Sequence, residues 1–298
     1  MMTIAKSVVR GRFAPSPSGP LHFGSLVAAV GSYLAARAAG GQWLVRIEDI
    51  DTPRTQIGAA DSILRTLESF GLLWDGDIAH QSQRLDLYQD YFTQLQSRDL
   101  LYGCDCSRAR ISSLGGLYDG FCQHRRLTDG TLAWRLRADG VATEFSDLIL
   151  GKCSISTALA QEHYSVKRRD GLFSYQLVVV IDDLSQGISQ VIRGADLLEM
   201  TPRQQHLFGL LGAPAPEYGH LPLAMASPEF KLSKQNHATA IESFPASSAM
   251  QAALEFLGQV VPKDLHGAAP AELLQYAVEH FSLQHVPKAA KVVTLDFA

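Results

Sequence analysis

Residues Phe13–Gly41 read FAPSPSGPLHFGSLVAAVGSYLAARAAGG, and the punctuation of this stretch decides the fold. Before it, SVVRGRF (Ser7–Phe13) predicts a short strand, which Pro15 and Pro17 break. From about Leu21 to Ala39 apolar residues recur at helical spacing, until Gly40 and Gly41 stop them. WLVRIE (Trp43–Glu48) then predicts a second strand. Strand, glycine-bearing loop, helix and strand form a βαβ unit. That unit implies a parallel sheet with ligands at the carboxyl ends of its strands.

Outward from this unit, further helices are expected over Gly58–Phe70 and Arg84–Arg98. The first half of a catalytic domain spans residues 1–99 on this reading. Between 100 and 163 the rhythm changes to cysteines, a Gly-Gly pair and short strand-like runs such as LAWRLRA, which predicts an insert of small strands and turns. The second half follows over 164–236. In it, YQLVVVIDD (Tyr175–Asp183) is a short apolar run that periodicity cannot assign to helix or strand. QVIRGADLLE (Gln190–Glu199) reads as strand, turn and helix start. Residues 237–298 are expected to be mostly helical.

Composition sets bounds. The chain has 298 residues, 46% of them hydrophobic, and a formal charge of -4. It can bury a sizeable core without disulfides. Nothing global draws it to nucleic acid or acidic membranes, so such contacts rest on local basic patches, for which HRR (124–126) and KRRDG (167–171) are candidates. No window approaches the roughly 18 unbroken apolar residues of a membrane span. The N-terminal MMTIAKSVVRGRFAPS lacks a signal peptide's apolar core. A cytoplasmic protein without membrane contact, acting as a monomer, is the expectation.

His22 and Gly24 fall where loop becomes helix, so backbone N–H groups, the helix dipole and an imidazole can converge on one anion. Gly19 and Gly24 let a phosphate approach the backbone, while the prolines stiffen the loop. KLSKQN (Lys231–Asn236) offers two lysines in a polar loop, and a lysine ammonium can follow a phosphate as a point charge. G-x-x-x-x-G-K-[ST] is absent, so this is no Walker A loop.

FAPSPSGPLHFGS and KLSKQ resemble the two signature motifs of class I aminoacyl-tRNA synthetases. RFAPSPSG (Arg12–Gly19), RIEDID (46–51), YQLVVVIDD and IRGADLL (192–198) resemble the glutamyl branch in particular. The resemblance spans about Arg10 to Asn236. It implies a Rossmann-like α/β catalytic domain of that class, with a small zinc-bearing insert and a short helical C-terminal region. It also implies ATP binding by His22, Gly24, Ser25, Lys231, Ser233 and Lys234, with His22 and Lys234 catalytic and Mg2+ accompanying the ATP. Arg12, Phe13, Ala14, Pro15 and Ser16 would line the glutamate pocket. Glu48 would meet the substrate ammonium, and Tyr175 and Arg193 its carboxylates. The chain departs from the family pattern in three places. Ser25 stands where a second signature histidine is usual, Leu232 where methionine is, and Gln235 where serine is.

The residues themselves agree in kind. Glu48 ends a strand where open α/β sheets bind ligands, and Arg12 and Arg193 lie in apolar runs although arginine is seldom buried unpaired. Other pairings stay open: Glu48 with Arg46 or Arg54, and Arg193 with Asp196. Asp182 and Asp183 could hold a ribose or the arginine cluster.

CDCSRARISSLGGLYDGFCQH (Cys104–His124) gathers three of the four cysteines, while Cys153 stands apart. Cys104, Cys106 and Cys122 with one further ligand would make a closed structural zinc site; the alternative is a set of packed, reduced thiols. C-x-H at 122–124 offers His124 as the fourth ligand, whereas the family resemblance implies Tyr118.

A full glutamyl synthetase continues past its lysine signature with a large helical domain that reads the anticodon, and too few residues follow Asn236 here for that. The short pattern resembles the glutamyl-queuosine tRNA(Asp) synthetases within the branch. That resemblance implies transfer of activated L-glutamate from ATP chemistry to queuosine at the wobble position of tRNA(Asp). A truncated conventional glutamyl synthetase, a nucleotidyltransferase and a silent tRNA-binding paralogue are the alternatives.

Overall fold

The computed structural model describes residues 8–225, 227 and 239–294. The opening unit forms as the punctuation predicts. Strand β1 (Arg10–Phe13) is followed by helix α1 (Phe23–Ala38) and strand β2 (Gln42–Ile47). β1 and β2 pair in parallel with Arg12 opposite Leu44, and β2 pairs in parallel with the short β3 (Ala79–His80). Helices α2 (Ala59–Ser69) and α3 (Leu85–Ser97) flank β3 in sequence, within the spans expected for them.

The next segment is small and mostly antiparallel. It runs through β4 (Leu101–Cys104), α4 (Arg108–Ser113), β5 (Ala133–Leu136), β6 (Glu144–Asp147), β7 (Gly151–Ser154), α5 (Thr157–Ala160) and β8 (Ser165–Lys167). β4, β5 and β8 form one sheet, and β6 and β7 form a hairpin. The chain then returns to helix α6 (Tyr175–Ser185) and strand β9 (Gln190–Gly194). A 3-10 turn and helix α7 (Thr201–Leu210) lead to β10 (Glu217–Leu221), which pairs in parallel with β9. Ser189, just before β9, donates its N–H to the Arg10 carbonyl at 3.0 Å and so seats β9 beside β1.

YQLVVVIDD, which periodicity leaves open, is therefore helix α6. Residues 176–183 are buried on every face. A helix packed all round has no polar stripe for its period to reveal, and tertiary burial overrides the strand preference of three valines.

Two large apolar cores result among the described residues, beside two small clusters, one around Cys104, Cys122 and Tyr118 and one of Ile188, Val191 and Tyr218. One large core surrounds α1, whose Leu26, Val30 and Leu34 are wholly buried. The helix packs on β1, β2 and β9, and on the helices α8 (Ala246–Phe256) and α9 (Pro270–His280) near the end of the chain. The other large core joins α3, the antiparallel segment, α6 and α7. The C-terminal part is mostly helical, as expected, but it ends in a strand: β12 (Lys291–Val293) pairs in parallel with β11 (Leu223–Met225). No helix among the described residues is long and apolar enough to cross a membrane.

The α1–β2 turn is tight in one place and roomy in the next. Gly40 has φ +67° with open space where a Cβ would stand, whereas a Cβ on Gly41 would lie 2.2 Å from the Val9 carbonyl oxygen. G40A should cost about 1–2 kcal/mol for its left-handed backbone. G41A should cost about 3 kcal/mol or more because backbone must move. Urea unfolding of the two variants beside the parent checks the order.

Candidate active site

His22 ends the proline-rich loop as the N-cap of α1. Its Nδ1 accepts the Ser25 backbone N–H at 3.3 Å. A neutral ring that accepts at Nδ1 carries its proton on Nε2, and Nε2 lies 3.1 Å from the Ser25 hydroxyl. The residue standing in place of the family's second histidine thus steadies the first. The first turn of α1 has no acidic side chain to offset the dipole's positive end. This turn opens on a cavity of about 580 Å³ lined by His22, Gly24 and Ser25, and by Phe13, Gly194 and Leu221 from the ends of β1, β9 and β10. Three strand ends and a helix N-terminus therefore meet at one space, whose lining also includes Asp196. Lys231, Ser233 and Lys234 lie outside the described residues.

A second cavity, of about 750 Å³, is lined by Glu48 and Tyr175 together with Asp51, Arg54, Gln81 and Arg168. Ser16 and Ser18 line both cavities, so the loop Pro15–Ser18 is their common wall. The Glu48 N–H donates to the Pro15 carbonyl at 3.0 Å, tying that wall to the end of β2. Phe13 and Pro15 face the smaller cavity, and half-buried Ala14 lines neither.

Beneath the larger cavity lies a buried charge network. Arg12 donates to both Asp183 oxygens at 3.2 and 3.4 Å, and Arg46 reaches Asp183 at 2.8 Å and Glu48 at 3.4 Å. Asp182 accepts from Arg84 at 2.8 Å, Gln81 at 2.9 Å and Tyr88 at 2.9 Å. The two aspartates thus hold the arginine cluster, and of the pairings left open for Glu48 the one with Arg46 is realised. Burial raises the Asp183 pKa, but Arg12 and Arg46 outweigh it and hold the carboxyl below its usual range. For Glu48 burial wins over Arg46 and Arg12, and the carboxyl is pushed up. Burial likewise raises the Tyr175 hydroxyl, which feels Arg193, Glu48 and Arg12 around it. Of the eight residues expected at the glutamate pocket, Ser16, Glu48 and Tyr175 line the larger cavity, Phe13 and Pro15 line the smaller one, and Arg12, Ala14 and Arg193 line neither.

Arg193 is buried and does not use Asp196 in its hydrogen bonds. It donates to His220 at 3.1 Å, Gln204 at 2.7 Å, Thr201 at 3.0 Å and the Leu197 carbonyl at 3.1 Å. His220, Asp147 and Gln204 are site-bordering residues that sequence reasoning did not single out, whereas Arg168 belongs to the KRRDG patch and Asp51 to RIEDID. A polar residue inside an apolar run, such as His220 in YGHLPL, was the signal available for the first.

The Sγ atoms of Cys104, Cys106 and Cys122 lie within 4.8 Å of one another, with Cys106 and Cys122 at 3.5 Å. Tetrahedral zinc with bonds of about 2.3 Å needs sulfurs about 3.8 Å apart, so the donor set fits such an ion. Burial, with the sulfurs of Cys122 and Cys104, pushes the Cys106 thiol up, which a shared cation would reverse. Tyr118 is buried beside these thiols and its hydroxyl accepts the Cys122 N–H at 2.7 Å, whereas His124 is exposed. Arg135 donates to Cys104 Sγ at 3.3 Å and stacks 3.7 Å over the Tyr118 ring.

A parallel sheet ending on a helix N-terminus, a two-part cavity and a thiol-bearing insert define a class. The family of class I (E and Q) tRNA synthetase catalytic domains matches residues 8–116 and 121–254, and the chain belongs to that family. Among individual relatives it is 51% identical over 286 residues to the glutamyl-Q tRNA(Asp) synthetase of Serratia proteamaculans, covering 96% of this chain and 94% of that one. The Escherichia coli protein of the same name is 50% identical over 282 residues, covering 95% and 92%. Among solved structures, a glutamate tRNA ligase of Elizabethkingia meningosepticum in complex with its amino acid superposes with TM-score 0.79 at 26% identity. The match covers 95% of this chain and 66% of that ligase.

Asp183 carries the network's clearest prediction. Removing it in D183A leaves two buried guanidinium groups short of a partner and should cost about 3–5 kcal/mol in urea unfolding. Its folded pKa lies below the unfolded value of about 3.9, so its contribution is present above about pH 4 and is lost as pH falls through the folded value. D183N should accordingly lose less stability than the parent between about pH 5 and pH 3.

Proposed function

We propose that the chain activates L-glutamate with ATP and transfers the glutamyl group to queuosine in the anticodon of tRNA(Asp). The observation that carries this reading is the pair of cavities sharing the Ser16–Ser18 wall, one facing His22 and the α1 N-terminus, the other Glu48 and Tyr175. Half identity to glutamyl-Q tRNA(Asp) synthetases over nearly their full length supports the choice of acceptor above that of a conventional glutamate ligase.

In this reading the α-carboxylate of glutamate attacks the α-phosphorus of ATP and pyrophosphate leaves. His22 Nε2–H, turning from the Ser25 hydroxyl to the ligand, and the first-turn N–H groups of α1 other than that of Ser25 hold the phosphate oxygens, and Lys234 adds a cation. Fixed donors of this kind stabilise transferring charge without reorganising. Magnesium, when bound, neutralises the phosphates. Among the described residues only the thiol cluster gathers three or more groups able to share an ion, so magnesium is taken to arrive on ATP. Glu48 receives the substrate ammonium, and Arg12, Tyr175 and Arg193 receive its carboxylates. A hydroxyl of the queuosine cyclopentenediol then attacks the mixed anhydride, forming an ester as AMP departs. The larger cavity exceeds what glutamate alone fills and leaves room for a splayed base, the form in which single-stranded RNA is read.

Enzyme- and ATP-dependent attachment of labelled glutamate to two tRNA pools, one with queuosine and one without it, tests the proposal. Label confined to tRNA(Asp) of the queuosine pool is expected. Equal labelling of both pools, or labelling of tRNA(Glu), would indicate a conventional synthetase instead.

Burial makes the Glu48 charge costly, so E48Q should leave unfolding stability unchanged or slightly raised while glutamate-dependent activity falls by about 100-fold or more. Loss of stability in step with activity would argue for a purely structural Glu48.

For the thiols we propose one structural zinc held by Cys104, Cys106, Cys122 and Tyr118. Elemental analysis should find one zinc per chain, retained in H124A and lost in C122A. Chelation should lower the melting temperature of the parent more than that of C122A.

A further inference from the structure

Asp147 and His220 lie 73 positions apart in sequence and meet in the core beside Arg193, with both side chains fully buried. Asp147 Oδ1 accepts three backbone N–H groups: Ile149 at 2.9 Å, Leu150 at 2.9 Å and His220 at 3.2 Å. Its Oδ2 faces His220 Nδ1 at 2.6 Å. These donors and the histidine overcome burial to keep the carboxyl below its usual range, while burial lowers the His220 pKa and favours the neutral ring. An ionised carboxylate only accepts hydrogen bonds, so the ring proton sits on Nδ1 and Nε2 is left as an acceptor. That nitrogen receives Arg193 Nε–H at 3.1 Å and lies 3.3 Å from the Thr201 hydroxyl.

Arg193 has five N–H donors. His220, Gln204, Thr201 and the Leu197 carbonyl take four, leaving one NH1 hydrogen. We propose that Asp147 and His220 are positioning residues that fix the Arg193 guanidinium so that this remaining hydrogen is held for a substrate carboxylate. The inference rests on the reading of Arg193 as a carboxylate contact. It assigns work to the β6–β7 hairpin, since Asp147 ends β6 while His220 sits on β10. The dyad acts as a tautomer lock: it keeps an acceptor in front of Arg193, as second neighbours of a functional group commonly do.

D147N tests the lock with almost no change in shape. The three backbone N–H groups require the amide oxygen at the Oδ1 place, so the amide NH2 must face His220 Nδ1. The ring then carries its proton on Nε2, donor against donor with Arg193. In glutamate-dependent ATP–pyrophosphate exchange, D147N should raise the KM for glutamate about tenfold or more while the KM for ATP stays within about twofold. Gln at 220 can present an oxygen near the Nε2 place, so H220Q should recover activity that H220L loses, which also decides the matter if D147N does not fold. Nitrogen-15 NMR supplies a readout independent of substrate, with His220 protonated at Nδ1 in the parent and the Arg193 Nε–H resonance shifting in D147N. An Nε2–H tautomer in the parent, an unchanged glutamate KM in folded D147N, or H220Q no better than H220L would overturn the inference. Failure of the parent to exchange glutamate at all would overturn the functional reading, and NMR would still decide the lock.

Discussion

The constraint on which the rest depends is the shared burial of Arg12, Arg46, Asp182 and Asp183. Two arginines from adjacent parallel strands and two neighbouring aspartates from α6 can leave water only together. An unpaired charge there costs several kcal/mol, whereas a paired set costs far less. The pairing sets α6 at one depth against β1 and β2. That depth brings Tyr175, at the start of the same helix, to the cavity where Glu48 ends β2. Charge pairing in the floor therefore acts as the gauge that spaces the pocket above it.

Glu48 shows the other side of the same physics. Asp183 is drawn below its ordinary range because two guanidinium groups face it, while Glu48, reached by Arg46 only at 3.4 Å, is pushed up by burial. Neighbouring carboxylates are thus driven apart, one satisfied by the fold and the other left with an appetite for a cation. Sites that bind charged ligands commonly arise from such a division.

How much of this was legible depended on distance along the chain. β1, α1 and β2 could be read because prolines and glycines mark their ends within a few residues, and His22, Gly24 and Ser25 inherited their positions from that local grammar. α6 could not be read, since a helix buried on every face shows no period. The partners of Asp182 and Asp183 required knowing which strands lie side by side, which local pattern does not encode. The same holds for Arg193: Asp196, three residues on, was the natural guess, and the real partners include His220 from the neighbouring strand. Around the thiols the sequence offered both Tyr118 and His124 as a fourth group, and the structure buries Tyr118 beside the cysteines while His124 is exposed.

The helices α8 and α9 touch neither cavity, yet they cover the side of α1 that the sheet leaves bare, and β12 closes against β11. Ile241 N–H also donates to the Leu21 carbonyl beside His22 at 2.8 Å. A nick or premature stop beyond the lysine-bearing stretch would spare every residue assigned to chemistry and still strip α1 of its cover. The apolar surface so exposed would invite aggregation before any substrate was met. A minimal catalytic fragment of this protein therefore has to extend to Val293.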